Sequence, residues 1–252
     1  MNNIFRVCKP VCNILNESKS ELQRQMLLGD GFKVTKIIEG WAYGKRIADD
    51  YSGIVAEDNL SNWVEPTNRV CSLGAHIYPD PNMKAVPLAH LPYQSEITII
   101  NKNDSFFELD LGGYISQMQI ELIANKENDF VKVAERYLGI PYLWGGNSQY
   151  GIDCSGLISA ALRGAGLNCP GDSIEQETEL GHLIQPNVPL LRGDLIFWSG
   201  HVGLMLSESS ILHANAHHMV VAFEPLKTAR DRILKNGGGL ITAIKRIAIG
   251  AN

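Results

Sequence analysis

The sequence has little cysteine and no long hydrophobic run. Its 252 residues contain five cysteines, and an odd number at this low density argues against the disulfide framework of a small secreted protein. Apolar runs such as 97–100 and 219–223 are only four or five residues long, whereas a membrane-spanning helix needs about 20. We therefore predict no transmembrane segment and no membrane partner.

The sequence also has fewer positively than negatively charged residues. The 22 Lys and Arg residues against 27 Asp and Glu residues give a formal net charge of −5, which provides no general positive field to hold a nucleic acid. Residues 1–10 lack the apolar segment and small-residue cleavage site of a secretory signal. These absences predict a cytoplasmic protein without a nucleic-acid partner.

The rest of the composition is that of a globular protein. Apolar residues make up 45% and charged residues 19%, and at about 150 residues per domain the length allows one large domain or two to three small ones. The pattern changes near residue 125, where short β-type runs give way to apolar residues at helical spacing over 129–138. Asn128 or Asp129 would cap this helix, and Gly139 would end it. A separate domain is therefore predicted at 125–252.

The first half contains an internal repeat. Each copy predicts a strand, a turn, an aromatic strand and a short strand led by glycine; the two copies are 32–38, 41–43 and 52–55, and 97–100, 106–109 and 112–115. Short strands of this kind suit a small closed β-barrel, because closure removes exposed edges. We predict two barrels in tandem, at 1–66 and 67–124, with one larger β domain as the alternative.

The candidate nucleophile is Cys154. Apolar spacing from Ser155 to Gly164 predicts a helix, which places Cys154 on its first turn. Unpaired backbone N–H groups at a helix start stabilise a thiolate and lower the thiol pKa. The alternative is a small buried cysteine, but polar neighbours and a preceding glycine-rich aromatic loop are unusual around a packed core position.

A thiol nucleophile needs a nearby base, and His201 is the best candidate. Predicted strands at 193–198, 201–206 and 211–216 are joined by short turns, so His201 and His213 come close across an antiparallel pair. His213 would then orient the His201 ring and fix its tautomer. The other histidines are interpreted as partly exposed polar residues: His76, His90, His182, His217 and His218.

Two interpretations in which Cys154 is not a nucleophile are weaker. A zinc site from His213, His217, His218 and Cys154 would need helical spacing, but the segment predicts a strand and a turn. No carboxylate or second thiol lies at ligand spacing, so we predict neither a metal nor another cofactor. The second alternative is a catalytically inactive binding module, which slow labelling of an unactivated Cys154 by a thiol electrophile would reveal.

Five segments, in order, resemble the NlpC family of papain-like cysteine peptidases. They are 142–146 (YLWGG), 153–157 (DCSGL), 193–198 (GDLIFW), 200–203 (GHVG) and the late His213. The β-rich first half resembles the paired bacterial SH3-like domains of one branch, the γ-D-glutamyl-L-diamino acid endopeptidases. The resemblance implies an α+β fold: a papain-like domain, with a helix packed on an antiparallel sheet, preceded by two small SH3-like β-barrels.

The resemblance also implies residue roles. Cys154 would be the nucleophile, His201 the general base and acid, and His213 the orienting third residue. The Tyr142 hydroxyl would join the Cys154 backbone N–H in receiving the oxyanion. The positions that resemble substrate-binding residues are Asp153, Ser155, Asp172 and Ser173. Many members carry an arginine just before the position of Asp172, whereas this chain has Gly171 there.

By position, Glu21 and Tyr51 look like the residues with which the first SH3-like domain of that branch holds a free N-terminal amine. Carboxylates in a closed pocket, such as Glu21 and Asp153, would select an ammonium group and reject acylated peptides. The alternatives are a solvated charge at Glu21 and a turn aromatic packed on the barrel at Tyr51.

The implied function is hydrolysis of the bond between γ-D-glutamyl and a diamino acid. The substrate would be a small murein peptide that begins with free L-Ala, cleaved through a thioester during recycling of cell-wall fragments. The alternative is a secreted or surface hydrolase of intact peptidoglycan whose SH3-like domains bind the wall. The residues do not distinguish diaminopimelate from lysine, nor do they indicate an oligomeric state.

Overall fold

The structure, a computed structural model, describes residues 3–185 and 187–248. Its internal contacts divide the chain into two compact units. Unit 1 comprises residues up to 126 together with 147–149, and unit 2 comprises 127–146 and the residues from 150 onward. The division near 126 lies close to the change of pattern seen in the sequence, while the boundary between 66 and 67 stays a prediction. Among the described residues, no helix is long and apolar enough to cross a membrane.

The first half of unit 1 is a seven-stranded antiparallel sheet with the order β3-β2-β6-β5-β4-β1-β7. Its strands are β1 (Ile4–Val7), β2 (Val11–Leu15), β3 (Leu22–Leu27), β4 (Gly31–Ile38), β5 (Trp41–Arg46), β6 (Ser52–Ala56) and β7 (Leu60–Asn62). Alternating residues of these strands form a hydrophobic core that includes Val7, Ile14, Met26 and Phe32, all fully buried.

The second half of unit 1 has two smaller sheets, with the orders β10-β9-β14-β13-β12 and β11-β8-β15. Their strands are β8 (Asn68–Val70), β9 (Gly74–Tyr78), β10 (Ala89–Pro92), β11 (Glu96–Ile97), β12 (Ile99–Lys102), β13 (Phe106–Leu109), β14 (Tyr114–Ser116) and β15 (Ile120–Leu122). A separate core cluster, which includes Val70, Ala75, Leu91 and Ile115, holds these sheets together. The short strand β16 (Asn147–Ser148) also belongs to unit 1.

The two halves of unit 1 share one pairing scheme. Strand β1 pairs with β4 and β7, and β8 pairs in the same way with β11 and β15. A 3-10 helix precedes the last strand in both halves, at Glu57–Asn59 and at Gln117–Gln119. The three strands predicted for the first copy of the repeat are β4, β5 and β6. In the second copy the strand predicted at 97–100 is divided between β11 and β12, and β13 and β14 follow as predicted.

Unit 2 is built on a six-stranded antiparallel sheet with the order β18-β23-β19-β20-β21-β22. The strands of this sheet are β18 (His182–Leu183), β19 (Leu195–Trp198), β20 (His201–Met205), β21 (Ser210–Asn215), β22 (Val220–Pro225) and β23 (Ala243–Arg246). The short strand β17 (Gly151–Ile152) lies outside it. The helices of unit 2 are α1 (Phe130–Glu135), α2 (Cys154–Gly164), α3 (Ser173–Glu179) and α4 (Leu226–Lys235). Helix α2 packs against α1 and against strands β20 and β21, and α4 packs against β22.

Helix α1 begins where the sequence predicts and ends earlier. The Asp129 side chain caps it by accepting hydrogen bonds from the backbone N–H groups of Val131 and Lys132. From residue 136 to residue 138 each backbone N–H donates to the carbonyl three residues earlier, which tightens the chain into 3-10 geometry. Gly139, with a φ of 83°, then turns the chain away.

Candidate active site

Cys154 is the first residue of helix α2. Asp153 is the N-cap: its Oδ1 accepts a hydrogen bond of 2.6 Å from the Gly156 backbone N–H and another from the Ser155 hydroxyl. An acidic cap is favourable here because the first N–H groups of a helix have no partners within the helix. The predicted placement of Cys154 on the first turn is confirmed.

The loop before helix α2 is bound to the same cap. Asp153 Oδ2 accepts a hydrogen bond of 2.8 Å from the Gly145 backbone N–H. Tyr142 forms a parallel bridge with Ile152, and its own N–H donates to the Met219 carbonyl. The backbone on either side of Cys154 is thus held by defined partners.

Burial changes the chemistry expected of Cys154. Only 9% of the residue is exposed, and this desolvation, with a further contribution from the charge of Asp153, raises the pKa of the thiol to about 12. Backbone N–H groups of Val202, Ser155 and Cys154 act in the opposite direction and do not compensate. The expectation of a lowered pKa from the helix start is therefore wrong for the unliganded protein, and the resting thiol is protonated at neutral pH. Slow labelling by a thiol electrophile consequently does not distinguish an inactive binding module from a peptidase in this chain.

The contact with Val202 also locates the nucleophile relative to the candidate base. Val202 is the neighbour of His201 at the start of strand β20, and its N–H reaches the Cys154 sulfur. The first turn of helix α2 and the first residues of β20 therefore meet at this point. The Trp198 ring lies against the His201 ring with centroids 5.7 Å apart.

The structure brings His201 and His213 together. Leu204 is opposite Leu212 in the pairing of β20 with β21, which places Gly203 opposite His213 and makes the two histidines diagonal neighbours. His201 Nε2 lies 2.9 Å from His213 Nδ1. A Cβ on Gly203 would lie 2.5 Å from the Ile211 side chain and 3.3 Å from the His213 Cβ, so glycine at this position permits the close packing.

Two further residues extend this pair, and the sequence reasoning missed both. Glu224 Oε1, on strand β22, lies 2.9 Å from His213 Nε2. Arg232, on helix α4, donates to both Glu224 oxygens at 2.6 Å. The signal available in the sequence was a single carboxylate in the otherwise apolar run 220–224 beside the strand of His213.

Both histidines are neutral at physiological pH. Burial is the largest influence on each, and it lowers the pKa of His201 to about 3 and that of His213 to about 4. Glu224 behaves oppositely: although burial acts to raise its pKa, hydrogen bonds from Arg232 and His213 lower it to about 2. The group therefore contains a carboxylate beside two uncharged imidazoles.

Tyr142 is half-buried and interacts electrostatically with Cys154. Burial, followed by the charges of Cys154 and Asp153, raises the pKa of its hydroxyl to about 12. The hydroxyl consequently remains a hydrogen-bond donor throughout the physiological range. This is the state that an oxyanion donor requires.

The other predicted substrate residues of unit 2 lie at two helix starts. Ser155 is buried and follows the nucleophile in α2. Asp172 is the N-cap position of α3, and Ser173 is its first residue. Gln176 connects the two helices, because its Nε2 donates to the Ser155 carbonyl at 2.9 Å. Their contacts with a substrate stay predictions.

Glu21 and Tyr51 belong to unit 1. Glu21 is exposed, and its carboxylate accepts a hydrogen bond of 3.1 Å from the Asn16 side chain. Tyr51 is half-buried against the core of the seven-stranded sheet, with the Arg24 guanidinium 5.6 Å from its ring centroid. It also lines a cavity of about 530 Å³ together with Tyr43. Their role in amine binding stays a prediction.

One group among the described residues has the spacing of a metal site. Ligand atoms of His213, His218 and Glu224 lie within 4.8 Å of one another. The set differs from the one considered from the sequence, because it includes Glu224 and excludes Cys154. Both Glu224 oxygens are already hydrogen-bonded to Arg232, and a cation would meet the positive guanidinium there. These residues therefore fit a hydrogen-bonded row better than a metal centre.

Two protein-family models match separate parts of the chain. Residues 139–232, which contain Cys154, His201, His213 and Glu224, match the sequence model of the NlpC/P60 family. Residues 15–60 match the model of the bacterial dipeptidyl-peptidase SH3 domain. Apart from residues 147–149, the first match lies in unit 2, and the second lies in the seven-stranded part of unit 1.

Curated relatives match most of the chain. A γ-D-glutamyl-L-lysine dipeptidyl-peptidase of Bacillus cereus is 27% identical over 249 residues, which cover 83% of this chain and 72% of the relative. Dipeptidyl-peptidase 6 of Lysinibacillus sphaericus is 28% identical over 223 residues, covering 78% of this chain and 81% of the relative. Both alignments extend well beyond the peptidase segment.

A solved structure shows the same fold. The crystal structure of an NlpC/P60 family protein from Bacillus cereus superposes with a TM-score of 0.79 at 19% identity. The superposition covers 96% of this chain and 99% of the other. The predicted papain-like fold with an N-terminal SH3-like domain is therefore confirmed.

Proposed function

Because the chain carries an NlpC/P60 cysteine peptidase domain together with a bacterial SH3 domain, we propose that it hydrolyses the γ-D-glutamyl-L-diamino acid bond of short murein peptides with a free N-terminal L-Ala. The observation that carries the proposal is the hydrogen-bonded His201–His213 pair beside Cys154 at a helix start. Similarity to dipeptidyl-peptidases over about four-fifths of the chain supports this substrate class.

The proposed reaction begins from an uncharged thiol and an uncharged imidazole. As the Cys154 sulfur attacks the γ-glutamyl carbonyl, the thiol proton moves to His201 Nδ1, since Nε2 faces His213. The carbonyl oxygen becomes an oxyanion, which the Tyr142 hydroxyl and the Cys154 backbone N–H would receive. His201 then gives the proton to the departing amine of the diamino acid, and water hydrolyses the remaining thioester.

We assign recognition of the substrate's free amine to Glu21, Tyr51 and Asp153. Glu21 offers a carboxylate and Tyr51 a phenol to an ammonium group, whereas Asp153, whose oxygens accept hydrogen bonds from Gly145, Ser155 and Gly156, contributes its negative charge. An acylated N-terminus would lose the ammonium charge. Recycling of free peptides implies a cytoplasmic location. Cell fractionation tests that part of the proposal.

The decisive experiment compares L-Ala-γ-D-Glu-L-Lys with its N-acetylated form, using mass spectrometry to identify the products. We expect cleavage of the free peptide between Glu and Lys and at least about tenfold slower cleavage of the acetylated one. A parallel reaction with the diaminopimelate peptide identifies the preferred diamino acid. Equal rates on free and acetylated peptides would contradict amine recognition, and cleavage of neither would contradict the substrate class.

Two variants separate the nucleophile from other thiols. Cys154→Ala is expected to abolish turnover, whereas Cys8→Ala, which replaces a half-buried cysteine of unit 1, should leave it near the wild-type value. Tyr142→Phe should lower kcat by roughly 10²-fold with little change in KM, because the hydroxyl acts only on the oxyanion. A wild-type rate in Cys154→Ala would refute the nucleophile assignment.

The second candidate function is hydrolysis of intact peptidoglycan. The same chemistry with a wall-binding role for the SH3-like domains would serve it. Release of soluble peptides from purified sacculi at a rate comparable to that on free peptides would favour this alternative.

A further inference from the structure

Four side chains of unit 2 form a continuous row of hydrogen bonds. Arg232 donates to Glu224, Glu224 lies 2.9 Å from His213 Nε2, and His213 Nδ1 lies 2.9 Å from His201 Nε2. The row extends from helix α4 through strands β22 and β21 to β20. It contacts the ring of His201, the candidate base, at Nε2 and not at Nδ1.

We propose that Glu224 is a positioning residue that sets the tautomers of both His213 and His201, and that Arg232 keeps Glu224 in the ionised form that this requires. The inference rests on the proposed roles of Cys154 and His201. It adds a carboxylate and a guanidinium to the three residues implied by the sequence resemblance.

The hydrogen-bonding capacity of each group determines which histidine nitrogen carries the proton. An ionised carboxylate can only accept, so His213 Nε2 must carry the proton that faces Glu224. A neutral imidazole has one N–H, so His213 Nδ1 is then an acceptor. His201 Nε2 must therefore donate to it, which leaves the lone pair of His201 on Nδ1.

This tautomer is the one that the chemistry needs. A bare Nδ1 can accept the thiol proton of Cys154, and the resulting imidazolium keeps its Nε2–H bond to His213. The positive charge then lies one imidazole away from the Glu224 carboxylate. In the opposite tautomer Nδ1 already carries a proton and His201 cannot act as a base.

Because of burial, the Glu224 carboxylate determines which nitrogen of His213 carries the proton. His213 is fully buried, and the Glu224 side chain is only 8% exposed, so solvent does not compete for the nitrogen that faces Glu224. Arg232 supplies the counter-charge through two hydrogen bonds. Without it, a carboxyl in this environment would more readily take up a proton and could then donate instead of accept.

A purely structural ion pair between strand β22 and helix α4 is the competing explanation. Glu224→Leu separates the two, because leucine is similar in size and offers no acceptor to His213 Nε2. The proton is then no longer held on Nε2, so His213 and in turn His201 lose their preference for the Nε2–H tautomer. Glu224→Gln does not separate the two, because an amide oxygen in place of Oε1 can still accept from both Arg232 and His213 Nε2.

The test measures tautomers and rates together. Nitrogen-15 NMR of the histidine side chains should show the Nε2–H form for His201 and His213 in the wild type and both tautomers of each in Glu224→Leu. We expect kcat of Glu224→Leu to fall by at least about tenfold with KM nearly unchanged. Glu224→Asp keeps a carboxylate and should retain the wild-type tautomers and much of the activity.

The matched control is Asp231→Asn. It likewise removes a carboxylate charge, one residue before Arg232, on an exposed side chain that pairs with Lys227 and Arg230. Its tautomers and kcat should equal those of the wild type.

Two outcomes would overturn the inference. One is an Nδ1–H form of either histidine in the wild type at neutral pH. The other is a folded Glu224→Leu variant in which both histidines keep the Nε2–H form alone, whatever its activity. Since the wild-type NMR measurement needs no substrate and no stable variant, failure of the proposed substrate is distinguishable from failure of this inference.

Discussion

The Asp153 carboxylate accepts a hydrogen bond of 2.8 Å from the backbone N–H of Gly145, eight residues earlier in the chain. Its other oxygen caps helix α2. One buried side chain thus joins the glycine-rich loop to the helix that begins with the nucleophile. A residue chosen from the sequence as a substrate contact therefore also has a structural function.

Asp153→Asn should destabilise the protein by about 1–2 kcal/mol. Asparagine can still cap the helix through its oxygen, but its NH₂ group cannot accept the Gly145 N–H, which leaves a buried donor unpaired. Urea unfolding at pH 7 measures the change. Asp231→Asn, at an exposed site, is the control, and equal stabilities of the two variants would show that the second hydrogen bond contributes little.

Alkylation of Cys154 should increase steadily with pH between 6 and 10. Burial and the charge of Asp153 hold the thiol pKa near 12, so the thiolate fraction is still rising throughout this range. Rates with iodoacetamide, followed at the Cys154 peptide by mass spectrometry, test this. Asp153→Asn should move the curve to lower pH because it removes the adjacent negative charge. A plateau below pH 7 in the wild type would instead indicate a preformed thiolate.

Unit 2 should lose stability as the pH falls below about 6.5. The folded pKa values of His201 and His213 lie below that of an unfolded histidine, so the unfolded chain takes up the protons that the folded chain refuses. The fully buried His213 alone accounts for about 3 kcal/mol by pH 4.

Glu224 acts in the same direction at lower pH. Its folded pKa is about 2, below the ordinary value of 4.5, so its stabilisation is complete above 4.5 and is lost as the pH falls through 2.

Urea unfolding at pH 7, 5.5 and 4 measures the effect of the histidines. The decline should be smaller in His213→Gln and unchanged in His182→Gln, which replaces an exposed histidine. A stability independent of pH over this range would contradict the burial of the pair.

Gly29→Ala should destabilise unit 1 by at least about 2 kcal/mol more than Gly40→Ala. Both glycines have positive φ angles, 90° and 76°, so both substitutions incur backbone strain. A Cβ on Gly29 would also lie 2.2 Å from the Glu96 carbonyl oxygen, whereas one on Gly40 meets nothing within 4 Å. Thermal unfolding of the two variants makes the comparison, and similar losses would mean that the backbone near Glu96 yields easily.

Local features of the active site could be predicted because they depend on neighbouring residues. Asp153 followed by a run at helical spacing places Cys154 at a helix start, and the predicted hairpin 193–206 places His201 on a strand. The repeat in the first half was visible for the same reason, since each copy uses the same turns and strands. In these segments the pattern of side chains and the backbone preference agree.

The row from His201 to Arg232 depended on distant parts of the chain. Glu224 reaches His213 only through the register of β21 with β22, and Arg232 reaches Glu224 only because helix α4 packs on that strand. Neither register nor packing direction follows from a single strand pattern. A carboxylate in the otherwise apolar run 220–224 makes Glu224 unusual, but the sequence does not show which side chain it contacts.

The sequence by itself indicated the candidate nucleophile, the candidate base and the helix and strand that carry them, because short-range spacing controls each of them. Only the tertiary structure decided the protonation state of Cys154 and the partners of the two histidines. The physical reason is that the pKa of a buried group depends on how much of the whole unit excludes water from it and on which charges lie nearby. A helix start alone predicts a reactive thiolate, and the fold around it keeps the proton on the thiol.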